Sequence, residues 1–123
     1  MDRTICVIED DEGIQDVLRI ILKRAGYEVM IFSEGKAIME NGFAAPDLFL
    51  LDKQLPDIDG LTICGHLKGD PYTAMIPVIM MSAYPNAKEL SEDFGADDFI
   101  EKPFQMETLL STIKKYISSE AVV

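Results

Sequence analysis

The segment TICVIEDDEGI, Thr4 to Ile14, joins an apolar run directly to four consecutive carboxylates. Its apolar part, Thr4–Ile8, is nearly continuous rather than alternating, which is typical of a strand covered on both faces of a parallel sheet. Buried strands rarely end in adjacent like charges, because these repel each other and lose hydration. The segment therefore predicts a buried parallel strand whose carboxyl end needs a positive charge beside it.

Four further apolar runs follow along the chain, and amphipathic stretches separate them. The predicted strands are residues 4–8, 28–32, 47–51, 76–82 and 97–100, and the predicted helices are residues 12–26, 34–40, 60–68, 86–94 and 105–117. Alternating strands and helices favour right-handed crossovers and therefore a doubly wound α/β sheet.

Apolar residues in the first and last helices recur at helical spacing and predict one buried stripe on each. Asp11 and Ser33 are predicted to cap the amino ends of the first two helices, and Gly26 to end the first in the left-handed conformation. The two stripes are Ile14, Val17, Leu18, Ile21, Leu22 and Ala25, and then Met106, Leu109, Leu110, Ile113 and Ile117.

Length and charge limit the classes of function. The 123 residues fit one domain, spanning 1–123, and the net charge of −11 argues against binding to nucleic acid or to anionic membranes. No signal peptide opens the chain and no apolar run approaches the ~20 residues that span a bilayer, so a cytoplasmic location is expected. Cys6 and Cys64 form no metal-binding spacing and are expected to be reduced.

Polar side chains stand at the carboxyl ends of four predicted strands, the edge where open α/β sheets place their sites. Each alone has a plain structural explanation, such as a helix cap, a turn hydroxyl or a solvated lysine. Together they would bring three acids, a hydroxyl and an amine to one rim: Glu9, Asp10, Asp52, Ser82 and Lys102. Clustered carboxylates favour a hard divalent cation, so the sequence predicts Mg²⁺ here.

Four segments then carry a family resemblance: VIEDD, LFLLDKQLPDIDG, PVIMMSA and GADDFIEKPF. In this order and spacing they resemble the receiver domain of two-component response regulators, in its stand-alone, chemotaxis-regulator-like form, over nearly the whole chain. The resemblance implies a flavodoxin-like fold in which five helices surround a five-stranded parallel sheet of order 2-1-3-4-5.

The resemblance also implies roles for individual residues. Asp52 matches the phosphoacceptor, and Lys102 and Ser82 match the groups that contact the phosphoryl oxygens. Glu9 and Asp10 match the acid pair that holds Mg²⁺ together with Asp52. The remaining matches are Gln54 as a backbone carbonyl ligand of the metal, Ser82 and Phe99 as the switch pair, Pro103 as a cis-proline, and Tyr84 as a residue beside the phosphoryl group.

The implied function is a signalling switch rather than a classical enzyme, with self-catalysed phosphoryl transfer and autodephosphorylation. Its implied partners are a histidine kinase or histidine phosphotransfer protein and a downstream protein effector, which would contact the face formed by the fourth helix, fifth strand and fifth helix. A phosphorylation-dependent homodimer is compatible with the resemblance, and direct contact with nucleic acid or membrane is not expected.

Three alternatives fit the sequence less well. A receiver-like scaffold without phosphorylation usually lacks the acceptor, the acid pair or the lysine, and all are present here. A phosphatase resembling the haloacid dehalogenase group needs a second Asp two residues after the nucleophile, where this chain has Gln54. A flavodoxin-like FMN carrier needs a Ser/Thr/Gly-rich loop after the first strand, which this chain lacks.

Overall fold

The computed structural model describes residues 3–118, in which five parallel strands form one sheet. The elements are β1 (Thr4–Ile8), α1 (Glu12–Arg24), β2 (Glu28–Phe32), α2 (Lys36–Met39), β3 (Leu48–Asp52), α3 (Gly60–Gly69), β4 (Val78–Ser82), α4 (Ala87–Asp93), β5 (Asp98–Glu101) and α5 (Met106–Lys114). The strand order β2-β1-β3-β4-β5 confirms the predicted doubly wound, flavodoxin-like α/β fold. Residues 1, 2 and 119–123 of the predicted domain 1–123 lie outside the described part.

The sheet separates two apolar cores because successive strand residues point to opposite faces. Ile5 and Val7 of β1 face the core that contains the buried residues of α1 and α5. Cys6 and Ile8 face the other core, to which α2 and α3 contribute. Burial of β1 on both faces confirms the interpretation of its continuous apolar run. None of the helices within residues 3–118 has the length and apolar character needed to cross a membrane.

Two predicted strands begin one residue later than expected, because an aspartate at each position caps a neighbouring strand. Asp47 lies outside β3, and its Oδ2 accepts a hydrogen bond from the N–H of Thr4 at 2.7 Å. Asp97 lies outside β5, and its Oδ2 accepts from the N–H of Val78 at 2.8 Å. The fourth strand, predicted from Ile76, begins only at Val78, after a proline that has no N–H to donate.

The predicted start of α1 and the left-handed conformation of Gly26 are confirmed, but the helix ends at Arg24 rather than at residue 26, and its buried stripe is narrower than expected. Asp11 Oδ1 accepts from the N–H of Ile14 at 2.9 Å, and Gly26 has φ of 96°. Val17 is 48% exposed and Met106 of α5 is 49% exposed, so the prediction that both lie in the core was wrong. Val17 lies at the edge of its helical stripe, whereas Met106 is the first residue of α5 and lies at the end of its stripe.

The cap of α2 comes from a distant segment, and the prediction of Ser33 as its cap was wrong. Ser33 Oγ instead accepts from Nε2 of Gln15 at 3.0 Å. The helix is shorter than predicted, and the N–H groups of Gly35 and Lys36 each donate to the carboxylate of Asp57 at 2.9 Å. These bonds, led by that from Gly35, hold the pKa of Asp57 below its ordinary value. Asp57 therefore ties the loop after β3 to α2.

Replacing Asp57 by Asn should lower the melting temperature at pH 7, because the amide is a weaker acceptor for two backbone N–H groups. The Asp57 pKa is lower in the folded protein, so its charge stabilises the fold above the ordinary pKa of 3.8 and this contribution fades as the pH falls further. The difference in melting temperature between the wild type and Asp57→Asn should therefore become smaller in melting curves recorded below pH 3.8. Glu34→Gln is the control, since it removes an exposed charge near the same helix; an equal deficit in both variants would contradict the assignment.

Gly60 should not tolerate a side chain, because a Cβ there would collide with the backbone oxygen of Asp52 and lie 2.7 Å from Cα of Lys53. We expect Gly60→Ala to lower the free energy of unfolding by about 1–3 kcal/mol, measured by urea denaturation. Gly69→Ala is the matched control in the same helix, since among the described residues nothing beyond the adjoining helix backbone lies within 4 Å of where its methyl group would stand. Equal stability of the two variants would refute the steric argument.

Candidate functional site

The sheet register brings the first and third strand ends together. Ile8 pairs with Leu51, so Glu9 and Asp52 follow at the same level on neighbouring strands. Both acids are buried, with Glu9 1% exposed and Asp52 4% exposed, whereas Asp10 is exposed. The strand order also reverses between β1 and β3, which is the place where open α/β sheets form their crevice.

Three carboxylates and one ammonium group meet in this crevice. One oxygen each from Glu9, Asp10 and Asp52 lies within 4.8 Å of the others. The Nζ of Lys102 lies 2.6 Å from Oε1 of Glu9 and 3.2 Å from Oδ1 of Asp52. Carboxylate oxygens at this spacing are the donors that a hard divalent cation takes, so the residues present fit Mg²⁺.

The electrostatics of the crevice show an excess of negative charge. Burial raises the pKa of Glu9, and the nearby charge of Asp52 adds to this, despite the opposing contact with Lys102. Burial alone would lower the pKa of Lys102, but hydrogen bonding to Glu9 and attraction to Asp52 raise it above its ordinary value. Lys102 therefore stays charged, and one ammonium group only partly compensates the acids.

The backbone at the ends of β4 and β5 places Ser82 and Lys102 on the same rim. Ser82 pairs with Glu101 in the sheet register, and the N–H of Lys102 donates to the carbonyl of Ser82 at 2.9 Å. The Lys102–Pro103 peptide bond is cis. The buried hydroxyl of Ser82 accepts from the N–H of Tyr84 at 3.0 Å. Tyr84 itself is 54% exposed beside the rim.

The loop after Asp52 is held at both ends. The N–H of Lys53 donates to Met81 and its carbonyl accepts from Gly60, both at 2.9 Å. Its ammonium pairs with Asp59, which also caps α3 through the N–H of Leu61. Gln54 lies inside this loop with an exposed side chain, and its role as a metal ligand stays a prediction.

Phe99 lies in β5, half-buried against the core on the α2–α3 side of the sheet. The neighbouring Asp98 accepts from the hydroxyl of Tyr116 at 2.9 Å and pairs with Lys115 at 3.5 Å. Burial and the charge of Asp98 raise the pKa of Tyr116 to about 12, so the phenol keeps its proton. These contacts connect β5 to the end of α5.

An apolar groove of about 580 Å³ adjoins the crevice, a feature that the sequence did not predict. Val17, which the helical pattern assigned to the core, instead lines this groove with Ile14 and Phe104. The other residues lining it are Asp11, Gly13, Ala83, Lys102 and Pro103. The contact between Glu9 and Lys102 was also missed, because 93 residues separate the two in sequence and neither carries a local signal for the pairing.

Comparison with known proteins agrees with this architecture. The fold of this chain is similar to that of a crystal structure of a response regulator from Chloroflexus aurantiacus, with a TM-score of 0.88 and 30% sequence identity. The match covers 94% of this chain and 98% of the other. The receiver domain of the sensor histidine kinase PA1611 from Pseudomonas aeruginosa, solved with magnesium coordinated in its active-site cleft, shares the fold with a TM-score of 0.85 at 23% identity, over 94% of this chain and 98% of that one.

A curated relative is the DNA-binding dual master transcriptional regulator RpaA of Synechocystis. It is 39% identical over 89% of this chain, but the match covers only 47% of RpaA, so the chain spans about half the length of that relative. The family model for the response regulator receiver domain matches residues 5–114. This chain therefore belongs to the response regulator receiver domain family.

Proposed function

We propose that the domain is a phosphoacceptor switch in a two-component phosphorelay and that Asp52 receives the phosphoryl group. The observation that carries this proposal is the position of the Asp52 carboxylate, buried at the end of β3 between the ammonium of Lys102 and two further acids. A buried acid is retained in this way where its charge serves chemistry, since a structural role alone would not need three carboxylates together.

The acid cluster supports Mg²⁺ as the cofactor. Glu9, Asp10 and Asp52 would hold it, with the backbone carbonyl of Gln54 as a further ligand. Bound there, the metal would supply positive charge that offsets repulsion between the attacking carboxylate and the incoming phosphoryl group.

The reaction itself would need little beyond positioning. A carboxylate oxygen of Asp52 forms a bond to phosphorus as the bond from phosphorus to a donor histidine nitrogen breaks, and the leaving imidazole takes up a proton. The product is an acyl phosphate. Lys102 would pair with one phosphoryl oxygen and the Ser82 hydroxyl would donate to another, so charge on the transferred group meets fixed donors. Attack of water on the same phosphorus would later release phosphate.

The switch would follow from the contacts of Ser82. Its hydroxyl now accepts from the N–H of Tyr84, and rotation towards a phosphoryl oxygen would break that bond. Phe99 could then turn into the space behind Ser82 and change the face formed by α4, β5 and α5. A local charge would thus bias a two-state element, as in other phosphorylation switches.

The partners follow from this role. A histidine kinase or histidine phosphotransfer protein would supply the phosphoryl group, and a downstream protein effector, or a second copy of the chain, would read the α4–β5–α5 face. The net charge of −11 makes direct contact between this domain and nucleic acid or an anionic membrane unfavourable. We further propose that residues 1–123 constitute one receiver domain that acts in the cytoplasm.

Incubation with acetyl phosphate and Mg²⁺ should add one phosphoryl group to the protein, detected by intact mass. Asp52→Asn should abolish the adduct because the amide is not a nucleophile, and chelation of Mg²⁺ should prevent it in the wild type. Asp59→Asn is the matched control, since it neutralises an acid on the same loop but keeps a good helix cap. An equal adduct on Asp52→Asn, or none on folded wild-type protein, would overturn the proposal and favour a phosphorylation-independent scaffold.

Tyr84→Ala should shorten the lifetime of the acyl phosphate, because the backbone N–H of Tyr84 meets the Ser82 hydroxyl, its side chain is exposed, and a bulky ring at this position would hinder the approach of water. The measurement is loss of the adduct with time after removal of acetyl phosphate. Tyr72→Ala is the control. This tyrosine is 68% exposed but precedes β4, so it lies towards the amino ends of the strands, away from the rim that carries Asp52. An unchanged lifetime in Tyr84→Ala, or an equal change in both variants, would contradict the role of Tyr84.

A further inference from the structure

Gln15 connects three segments that meet at one end of the crevice. It lies in the first turn of α1, and because helical side chains tilt towards the amino end of their helix, its amide reaches back to the end of β1. There Nε2 donates to the carbonyl of Glu9 and, at 3.0 Å, to Oγ of Ser33 in the loop after β2. The two hydrogens of an amide nitrogen allow both bonds at once, so Gln15 joins α1, β1 and that loop.

Gln15 completes the hydrogen bonding of the backbone where the sheet stops. β1 ends at Ile8, and the N–H of Glu9 still donates to the carbonyl of Phe32 at 3.0 Å. The carbonyl of Glu9 has no strand partner, and within residues 3–118 only the side chain of Gln15 donates to it. Since backbone groups removed from water need partners, a side chain here takes the place of a further strand residue.

The peptide group that Gln15 holds joins two of the three acids. A peptide is planar, so fixing the carbonyl of Glu9 also fixes the direction in which the chain continues to Asp10. Asp10 is exposed, and its own backbone and side chain form no hydrogen bond to any described residue. Its placement therefore depends on its two neighbours, of which Asp11 is fixed separately by its bonds to Glu9 and Ile14.

We propose that Gln15 is a positioning residue for the metal site: its amide fixes the peptide between Glu9 and Asp10 and so keeps both carboxylates at the spacing that a divalent cation takes. Ser33 orients the amide by accepting its second hydrogen. Without the donor, repulsion between the acids would separate them, and binding of the metal would have to restore their order. This inference rests on the proposed function, to which it adds a neutral residue outside the acid cluster.

The first test compares the Mg²⁺ affinity of wild-type protein and Gln15→Met, measured by titration of the backbone ¹H–¹⁵N NMR signals of Glu9 and Asp10. Methionine keeps the length and the helix propensity of glutamine but removes both donors. We expect Gln15→Met to bind Mg²⁺ about tenfold more weakly, the lower end of what the loss of a partner of a metal ligand costs. Gln105→Met, at an exposed glutamine whose side chain caps nothing, should bind as the wild type does. Equal affinity in Gln15→Met and the wild type would overturn the proposal.

The second test separates positioning from a general loss of stability, through the residue that orients the amide. Ser33→Ala should weaken Mg²⁺ binding by less than Gln15→Met does, and Ser33→Thr, which keeps the hydroxyl on an exposed side chain, should restore it. If Ser33 acts through Gln15, the double variant should bind Mg²⁺ no more weakly than Gln15→Met alone. A lower melting temperature of Gln15→Met with unchanged Mg²⁺ affinity would make its contacts purely structural, and additive losses would contradict the orienting role of Ser33.

Failure of the proposed function has a different signature. Wild-type protein would then bind Mg²⁺, and Gln15→Met would bind it more weakly, but acetyl phosphate would leave no adduct on either. The reverse failure is an adduct that forms on Gln15→Met with the same Mg²⁺ dependence as on the wild type. That result would keep Asp52 as the acceptor and remove Gln15 from the metal site.

Discussion

Two carboxylates buried side by side at the end of the sheet, those of Glu9 and Asp52, constrain the rest of the site. Parallel strands in register leave no room to separate them, since Ile8 and Leu51 pair just before. Charges in such a place must be compensated or neutralised. Lys102 supplies a compensating positive charge. Burial disfavours the charged form of its ammonium group, but hydrogen bonding to Glu9 and attraction to Asp52 outweigh this effect and raise its pKa.

The scaffold around these charges is stiff where the chemistry needs it to be. β1, β3 and β4 are covered on both faces, so the three strand ends that carry Glu9, Asp52 and Ser82 have little freedom to move. The loop after Asp52 is tied down by Lys53, by the close approach of Gly60 and by the Asp57 cap on α2. Adjustable parts are confined to exposed or half-buried side chains such as Tyr84 and Phe99.

Aspartate serves four separate purposes in this chain, and composition alone does not distinguish them. Asp11 caps a helix within its own segment, whereas Asp57 caps a helix more than twenty residues away. Asp47 and Asp97 cap the starts of neighbouring strands. Among the aspartates of residues 3–118, only Asp52 combines deep burial with contact to an ammonium group. The high negative charge is thus partly structural, and the acids near the crevice are a small share of it.

The sequence by itself determined the alternation of strands and helices, the buried runs, the cap at Asp11 and the family, because these depend on local periodicity and on motifs that are contiguous in the chain. It also indicated which polar residues end the strands, since the carboxyl ends of parallel strands share one edge. The tertiary structure alone decided the Asp57 cap on α2, the exposure of Val17 and the closer pairing of Lys102 with Glu9 than with Asp52. Those features depend on distances between segments far apart in sequence, and on how wide a helical face the sheet can cover, neither of which any local pattern specifies.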